Sequence, residues 1–507
     1  MFKINSLYLT DGYKVGHKAM LAEGTTRLYG TWIPRSLKYA PKGVTKIVSF
    51  GQQIVVKWLH DEFEENFFSK NISVVDDFAK DMSVYLGMDY NADHFKALHK
   101  LGYLPIKVKS LPEGIETNPN IPHMTFINTV DGFGWLTLYL ETIISALAWK
   151  PSTSATIALQ YKKNVIEWVK KTDEKSDFLI PFLCHDFSAR GLSPWDMISS
   201  GLGNATSFRG SDTLPVISAA RYFYNEKDVC INSVNASEHS VSTTKIFTVG
   251  EKQMLSDWMK QFPKGILSVV SDTFDLWKLI TEYLPQLKEE ILARDGKLVI
   301  RPDSGDPVDI ICGRSLSKLE RVDYGGKGLQ PEHKGVIELL WNIFGGTINE
   351  QGYKVLDPHI GAIYGDSITL DRQIEIYKRL EAKGFAATNI VLGVGSFTYQ
   401  FNTRDTLGWA AKGAWFEIES KYKDLDLAPN ESWLQSYNIY KDPVTDDGTK
   451  KSLKGLQQVF INDQGDYEVK SECTFNEENE GELQIIYKDG KFHNQTTLTK
   501  IRKILNE

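Results

Sequence analysis

Five short polar clusters hold most of the side chains here that could do chemistry. Arg301-Pro302-Asp303-Ser304-Gly305-Asp306 sets a guanidinium two residues from a carboxylate. On an extended strand end, residues i and i+2 face the same side, so Arg301 and Asp303 project together. The pair suits a ligand with an anionic or planar part and vicinal hydroxyls; a purely structural Arg–Asp pair has the same spacing. Gly365-Asp366-Ser367 and Gly393-Val394-Gly395-Ser396 each follow an apolar run and precede a helical stretch. Glycines there let backbone N–H groups approach a phosphate at a helix N-terminus. His185-Asp186-Phe187-Ser188-Ala189-Arg190-Gly191 joins an aromatic ring to an arginine. Phe187 is suited to stack on a flat heteroaromatic ring, or to fill a core. Ser237-Glu238-His239-Ser240 puts an imidazole beside a carboxylate. Such a histidine is a nucleophile, a general base or a hydrogen-bonded structural residue. Cations gather late in the chain, at Arg404, Lys412, Lys441, Lys450, Lys451 and Lys454. They form either a polyanion site or a solvated face.

Other chemistries are excluded. The segments GLGNAT (201–206) and GVGSFT (393–398) begin like a dinucleotide fingerprint but lack its third glycine. No G-x-x-x-x-G-K-[ST], H-E-x-x-H or G-x-S-x-G occurs. His94 and His99 are five apart and do not share a helix face. The four cysteines form no C-x-x-C pair, which argues against a disulfide framework or structural zinc and fits a reducing compartment. With 58 Lys+Arg against 65 Asp+Glu, the net charge of −7 disfavours a nucleic-acid binder, which gains affinity by neutralising phosphates. No signal peptide is read at the start and no apolar run approaches 18 residues, so the expected location is cytoplasmic, away from membranes.

The elements that must position these clusters follow from periodicity. Short apolar runs at 182–184, 267–270, 298–300, 360–363 and 390–392 each end in a polar cluster. Helical stretches at 214–224, 274–292 and 368–383 lie between them. This alternation predicts parallel strands buried on both faces, with chemistry at their C-terminal ends: an irregular (β/α) barrel over 151–399. Residues 1–150 and 400–507 read as a second, mixed α+β domain. Its expected elements are strands at 45–50, 104–109, 414–418, 457–461 and 483–487 and helices at 52–68, 74–86 and 92–101. Two further helices, 135–149 and 153–171, are expected to be separated by Pro151. Segments 323–335 and 442–455 read as loops.

Taken in order, DGYK (11–14), Arg35, FG (50–51), HDFSARG (185–191), FRGSDT (208–213), SVNASEHS (233–240), SVVSDTFD (268–275), IRPDSGDP (300–307), GDS (365–367), TRD (403–405) and YKDPVTDDGTKKS (440–452) resemble the nicotinamide phosphoribosyltransferase family. Its fold is that of the type II phosphoribosyltransferases, an α/β barrel joined to a mixed domain. The resemblance implies transfer of a phosphoribosyl group from 5-phosphoribosyl 1-pyrophosphate to nicotinamide, in a homodimer with shared active sites. It implies that Phe187 and the partner subunit's Tyr13, within the motif beginning at Asp11, sandwich the pyridine ring. Asp212 and Ser268 would bond the carboxamide near Arg301, and Asp303 the ribose hydroxyls. Gly365, Asp366, Gly395, Ser396 and Arg404 would surround the 5′-phosphate, with Arg190 nearby; Ser396 stands where the family often has glycine. Arg35, Lys412 and Lys441 would bind pyrophosphate. His239, flanked by Glu238 and Asp272, matches a histidine phosphorylated by ATP, and Mg²⁺ would bind mainly through pyrophosphate and water, with Asp272 and Asp303 as the protein carboxylates.

Two rival readings remain on sequence: a nicotinate phosphoribosyltransferase with the same fold, and a non-catalytic binder that keeps it. Asp212 favours the amide, because a substrate carboxylate ~4 Å from it is repelled by ~4 kcal/mol at an effective dielectric of about 20. Retention of Arg301, Asp303, Arg404 and His239 together argues against a silent scaffold.

Overall fold

The computed structural model describes residues 4–315, 329–365, 367–420, 433–445 and 451–506. Seven strands from the middle of the chain lie side by side and all run parallel. In spatial order they are Gly210–Ser211, Cys184–Asp186, Ile390–Val394, Ile360–Tyr364, Asp295–Arg301, Lys264–Val270 and Asn235–Ala236. Read around the ring, this is the order of the sequence. The first and last strands pair through Leu392↔Cys184 and Gly393↔His185. The remaining seam, from Gly210 to Asn232, is crossed by one isolated parallel bridge. The result is an α/β barrel with one weak seam.

Four strands carry a mostly apolar, mostly buried run, at 267–270, 298–300, Ile360–Tyr364 and Ile390–Val394, as expected where both faces are covered, whereas Cys184–Asp186, Gly210–Ser211 and Asn235–Ala236 are short and polar. Val269, Val270, Leu298, Ile300, Ile360, Leu392 and Val394 are all buried. Intervening helices start where their sequences supply caps. Ser193 Oγ accepts from Asp196 N at 3.1 Å ahead of Pro194–Ala205, with proline in the first turn. Asp306 accepts from Val308 N and Asp309 N ahead of Pro307–Cys312, and Thr369 caps Leu370–Ala382.

The chain divides into two compact units: residues 157–218 with 228–401, which hold the barrel, and residues 1–156, 219–227 and 402–507. The second of these is built on a seven-stranded sheet ordered Trp433–Asn438, Trp409–Ser420, Thr25–Pro34, Met124–Asn128, Ile106–Ser110, Gln484–Lys488 and Lys491–Phe492. Its strands pair antiparallel, with Tyr29 opposite Trp415 and Ile127. N- and C-terminal segments are thus interleaved in one sheet. No helix among the described residues is long and apolar enough to cross a membrane.

Several local expectations are corrected. The strand expected at 182–184 starts only at its last residue, as Cys184–Asp186, because Phe182 ends the 3-10 helix Glu174–Phe182. Residues 1–50 read from sequence as short extended segments and loops, but they hold the ten-residue strand Thr25–Pro34, whose burial is nearly unbroken rather than alternating. Conversely, the strand expected at 45–50 is reduced to Ile47–Val48. Pro151 does not divide two helices: one helix runs Gly134–Thr172 with the proline inside. Proline removes one helical hydrogen bond. Here Ser152 Oγ donates to Val48 O and Thr156 Oγ1 accepts from Val48 N at 3.0 Å, so side chains on either side of the interruption hold the helix in line. The single helix expected at 274–292 is instead a chain of short pieces, Leu276–Lys278, a π turn at Leu279–Tyr283, Leu284–Gln286 and Lys288–Leu292. Pro285, which has no N–H to donate, sits in the middle of it. Within the expected loops, Pro331–Lys334 forms a helical turn, and residues 323–328 and 446–450 lie outside the described residues.

One glycine is demanded by strand packing. A Cβ on Gly296 would stand 2.0 Å from the carbonyl oxygen of Gly265, its partner in the parallel pair. Gly296→Ala is expected to cost ~1–3 kcal/mol of stability and lower Tm by several degrees. Activity per folded molecule should hold, since the clash is at the strand's N-terminal end. Differential scanning calorimetry showing an unchanged Tm would contradict this packing.

Candidate active site

The polar clusters meet at the C-terminal ends of the barrel strands. Asp186, at the end of the first strand, is buried and accepts from Ser188 N at 2.9 Å, Ser211 Oγ at 3.3 Å and Thr213 Oγ1 at 2.8 Å. One carboxylate therefore ties the HDFSARG turn to the FRGSDT segment and orients both Phe187 and Asp212. Phe187 N donates to Val394 O at 2.9 Å. Its half-buried ring lies on Gly393, where a Cβ would come within 2.7 Å of the ring. This close approach gives the first glycine of GVGS a second role, as the floor under an aromatic ring.

Asp212 is an expected site residue and His185 opens the HDFSARG cluster; the structure joins them. The His185 ring lies against Phe187, with centroids 4.6 Å apart at 32°. Its Nε2 is 3.0 Å from Asp212 Oδ1, and Ser233 Oγ donates to the same oxygen. Burial would raise the Asp212 carboxyl, but hydrogen bonds from His185 and Ser233 and the nearby charges of His185 and Arg301 outweigh it. The carboxyl is held below the ordinary aspartate value of 3.8. It is an anion throughout the neutral range.

Arg301 ends the strand Asp295–Arg301 and Asp303 follows in the turn beyond it, and both side chains reach Gly365. An Arg301 guanidinium nitrogen donates to Ser237 O, and Arg301 N donates to Ser271 Oγ at 3.2 Å. A Cβ on Gly365 would lie 2.5 Å from Asp303 Oδ1 and 3.5 Å from Arg301 Nη1, so GDS sits directly beside RPD. Asp303 N donates to Asp272 Oδ2 at 2.9 Å. His239 Nε2 is 3.3 Å from Asp272 Oδ1, and that buried oxygen has no hydrogen-bond partner, so the contact is an ion-pair distance without hydrogen-bond alignment. Ser268 is buried on Lys264–Val270, and its carbonyl accepts from Ser237 N at 3.0 Å. Gly395 precedes the short helix Ser396–Gln400, and the Ser396 side chain packs where a Cβ on Gly191 would fall. Arg190 is almost fully exposed and 3.7 Å from Glu238, a weak surface contact. Asp366 lies outside the described residues.

Phe187, His185, Asp212, Arg301, Asp303, Gly365, Asp272 and His239 are thus one continuous group on the barrel. Among the described residues, no group of three or more His, Cys, Asp or Glu side chains is arranged to hold a metal ion. Asp272 and Asp303 are in contact, and the free lone pairs of Asp272 Oδ1 suit a Mg²⁺ that keeps water and phosphate oxygens as its other ligands.

The remaining expected residues belong to the other unit and are described within it. Asp11 Oδ2 accepts from Thr142 Oγ1 at 2.7 Å, and Tyr13, 66% exposed, tilts against His17. Lys412 Nζ is 3.1 Å from Glu141 Oε1, while the buried Lys14 Nζ is 2.9 Å from Oε2 of the same carboxylate. Arg35 Nε donates to Gly408 O at 3.3 Å. Arg404 opens a capped turn and lies 3.6 Å from Asp405; Lys441 N donates to Ser452 Oγ at 2.8 Å. Of the lysines near 450, Lys451 pairs with Asp442 and Lys454 with Glu472, and Lys450 is outside the described residues.

Sequence reasoning missed His185, Ser233 and Asp186 as site-builders. All three stand inside quoted motifs, but their work is to hold other site residues, which no spacing rule displays.

The chain is similar to known proteins in sequence and in fold. A family model described as the Nicotinate phosphoribosyltransferase (NAPRTase) family matches residues 182–484. A protein of Acinetobacter baylyi named nicotinamide phosphoribosyltransferase is 40% identical over 99% of this chain and 97% of its own. One of the same name from Mycoplasma pneumoniae is 31% identical over 89% of this chain and 95% of its own. Among solved structures, human nicotinic acid phosphoribosyltransferase superposes with a TM-score of 0.55 at 13% identity, over 98% of this chain and 93% of that one. Nicotinate-nucleotide pyrophosphorylase from Pyrococcus furiosus gives 0.54 at 15% identity, over 99% and 95%. At such identities the two structures speak for the fold alone. The family model over residues 182–484 and relatives 40% and 31% identical over 99% and 89% of this chain show it: the chain belongs to the nicotinate phosphoribosyltransferase (NAPRTase) family.

Proposed function

We propose that this chain joins nicotinamide to 5-phosphoribosyl 1-pyrophosphate, giving nicotinamide mononucleotide and pyrophosphate, a step of NAD salvage. The observation that carries the choice of substrate is Asp212, an anion beside the Phe187 ring. A substrate amide donates N–H to it; a substrate carboxylate is repelled by it. The sequence relatives named for the amide support the same reading.

In the reaction the ribose C1–O bond to pyrophosphate breaks and its electron pair leaves with pyrophosphate. The pyridine nitrogen supplies its lone pair to C1, forming the new C–N bond and becoming cationic. No proton needs to be abstracted. The chain therefore contributes alignment and electrostatics rather than a strong base. Phe187 fixes the ring plane, Asp212 and Ser268 read the carboxamide, and Asp303 holds the ribose hydroxyls close to Arg301. Gly365, Gly395 and Ser396 surround the 5′-phosphate, and because the Gly365 N–H is given to Pro302 O at 3.3 Å, the backbone donors come from Gly395 and Ser396. Arg35, Arg404, Lys412 and Lys441 contribute charge to the donor's phosphates. Mg²⁺, held by Asp272 and Asp303, would add positive charge to the leaving pyrophosphate. The working form is a cytoplasmic homodimer in which the partner subunit's Tyr13 covers the pyridine ring.

Pyrophosphate release by purified protein tests the reading. Turnover with nicotinamide is expected at a kcat/KM about a thousandfold above that with nicotinate. Comparable values would overturn the assignment, and no release with either would favour a silent binder.

His239 is proposed to accept a phosphoryl group from ATP, and its hydrolysis to favour product. The support is an exposed imidazole beside Asp272, within the group that includes Asp303. Incubation with ATP is expected to give an acid-labile adduct absent from His239→Ala. An unmodified His239 under turnover conditions would remove the coupling.

A further inference from the structure

Asp212 presents two oxygens, and the fold treats them differently. Oδ1 faces both His185 Nε2, at 3.0 Å, and the Ser233 hydroxyl. A carboxylate oxygen has two lone-pair directions, so two donors saturate it. No described residue donates to Oδ2, and the side chain is 41% exposed. We propose that His185 and Ser233 are positioning residues that set the amide specificity: by filling Oδ1 they aim Oδ2 at the substrate carboxamide and keep the carboxylate from turning or taking up a proton. This rests on the nicotinamide reading above and deepens it.

The same geometry decides the state of His185. Its Nε2 must carry hydrogen, because a lone pair there would face the lone pairs of Oδ1. The ring cannot easily move. One side lies against Phe187, and its Nδ1 edge lies on Gly210, where a Cβ would stand 2.9 Å from Nδ1. His185 and Gly210 are register partners in the parallel sheet, so strand pairing itself presses the ring into place. One histidine thereby couples the surface that stacks the pyridine to the group that reads its substituent.

The energetic logic is that of a partly buried acid. Burial favours the protonated form, and the two donors counter it. Without them, Asp212 would rotate toward water or bind a proton. A protonated Asp212 can donate to a carboxylate, so nicotinate would gain as nicotinamide loses.

Steady-state pyrophosphate release with both substrates tests this in wild type, His185→Phe, His185→Gln and Ser233→Ala. His185→Phe keeps a ring against Phe187 and removes the donor. It is expected to raise KM for nicotinamide about tenfold with kcat changing less than threefold, and to narrow the nicotinamide-to-nicotinate kcat/KM ratio about tenfold or more. His185→Gln keeps an N–H donor and should restore the ratio to within about threefold of wild type. Ser233→Ala, on an exposed segment, should shift the ratio in the same direction and decides the matter if His185→Phe does not fold. A wild type preferring nicotinate overturns the substrate reading and this inference together. A wild type preferring the amide, with the ratio unmoved in the variants, overturns the positioning role alone.

Discussion

Asp212→Asn is expected to bring kcat/KM for nicotinate within about tenfold of that for nicotinamide, from a wild-type gap of about a thousandfold. The substitution keeps the size and both hydrogen-bonding positions but removes the charge. Two carboxylates ~4 Å apart at an effective dielectric of about 20 repel by ~4 kcal/mol, and an amide in place of one abolishes that repulsion while adding a donor. Asparagine also has to satisfy His185 and Ser233, both of which donate to Oδ1. Its carbonyl oxygen belongs on that side, which turns its NH₂ toward the substrate. Nicotinamide should therefore lose an acceptor as nicotinate gains a donor. Parallel KM measurements for the two substrates read this directly, and an unchanged ratio would remove Asp212 as the discriminating group.

The acid side of the pH profile follows with its sign. Asp212 is held below its ordinary value of 3.8, so its interactions are fully present above that value and are lost as pH falls through the lower, folded value. The KM for nicotinamide should be independent of Asp212 titration between pH 6 and 8. A loss of amide affinity in that range would have to come from another group.

The second large effect is expected from one added methyl group. Gly365→Ala should fold with Tm nearly unchanged yet lose about a hundredfold in kcat/KM. The new Cβ would lie 2.5 Å from Asp303 Oδ1 and 3.5 Å from Arg301 Nη1. Both are side-chain ends, so the backbone need not move and stability is largely kept. The Asp303 backbone cannot retreat easily, because its N–H is tied to Asp272 Oδ2. The carboxylate must turn instead, and a displacement near 1 Å of a positioning group costs on the order of 10²-fold in rate. The loss should be shared with Asp303→Ala, so the double variant falls little below either single one. Wild-type turnover by the alanine variant would show that Asp303 is not held where the ribose hydroxyls need it.

The barrel was largely legible because its physics is local. The central strands are runs of apolar residues ending in a polar turn, and Leu298–Ile300 running into RPDSGDP needs no partner to be recognised, whereas the two-residue strands Gly210–Ser211 and Asn235–Ala236 carry no such signal. The same holds for the capped helices after Asp306 and Thr369. The N-terminal strand Thr25–Pro34 was hidden, since its partners are nearly four hundred residues away in one direction and about a hundred in the other. Helix 134–172 was hidden because contacts with Val48 outweigh a local signal, the proline, that usually ends a helix.

For the site, residue type and spacing alone pointed to Arg301 with Asp303, the glycine turns at 365 and 393–395 and the Phe187 ring, while the Asp212 carboxylate entered only through the family resemblance. What only the tertiary structure decided is how they are held. Gly393 lies under Phe187, Gly365 beside Asp303, and His185 and Ser233 on one oxygen of Asp212. A carboxylate's charge is written in the chain, but its direction and protonation depend on donors that strand pairing brings from elsewhere, and those distances exist only once the barrel has formed.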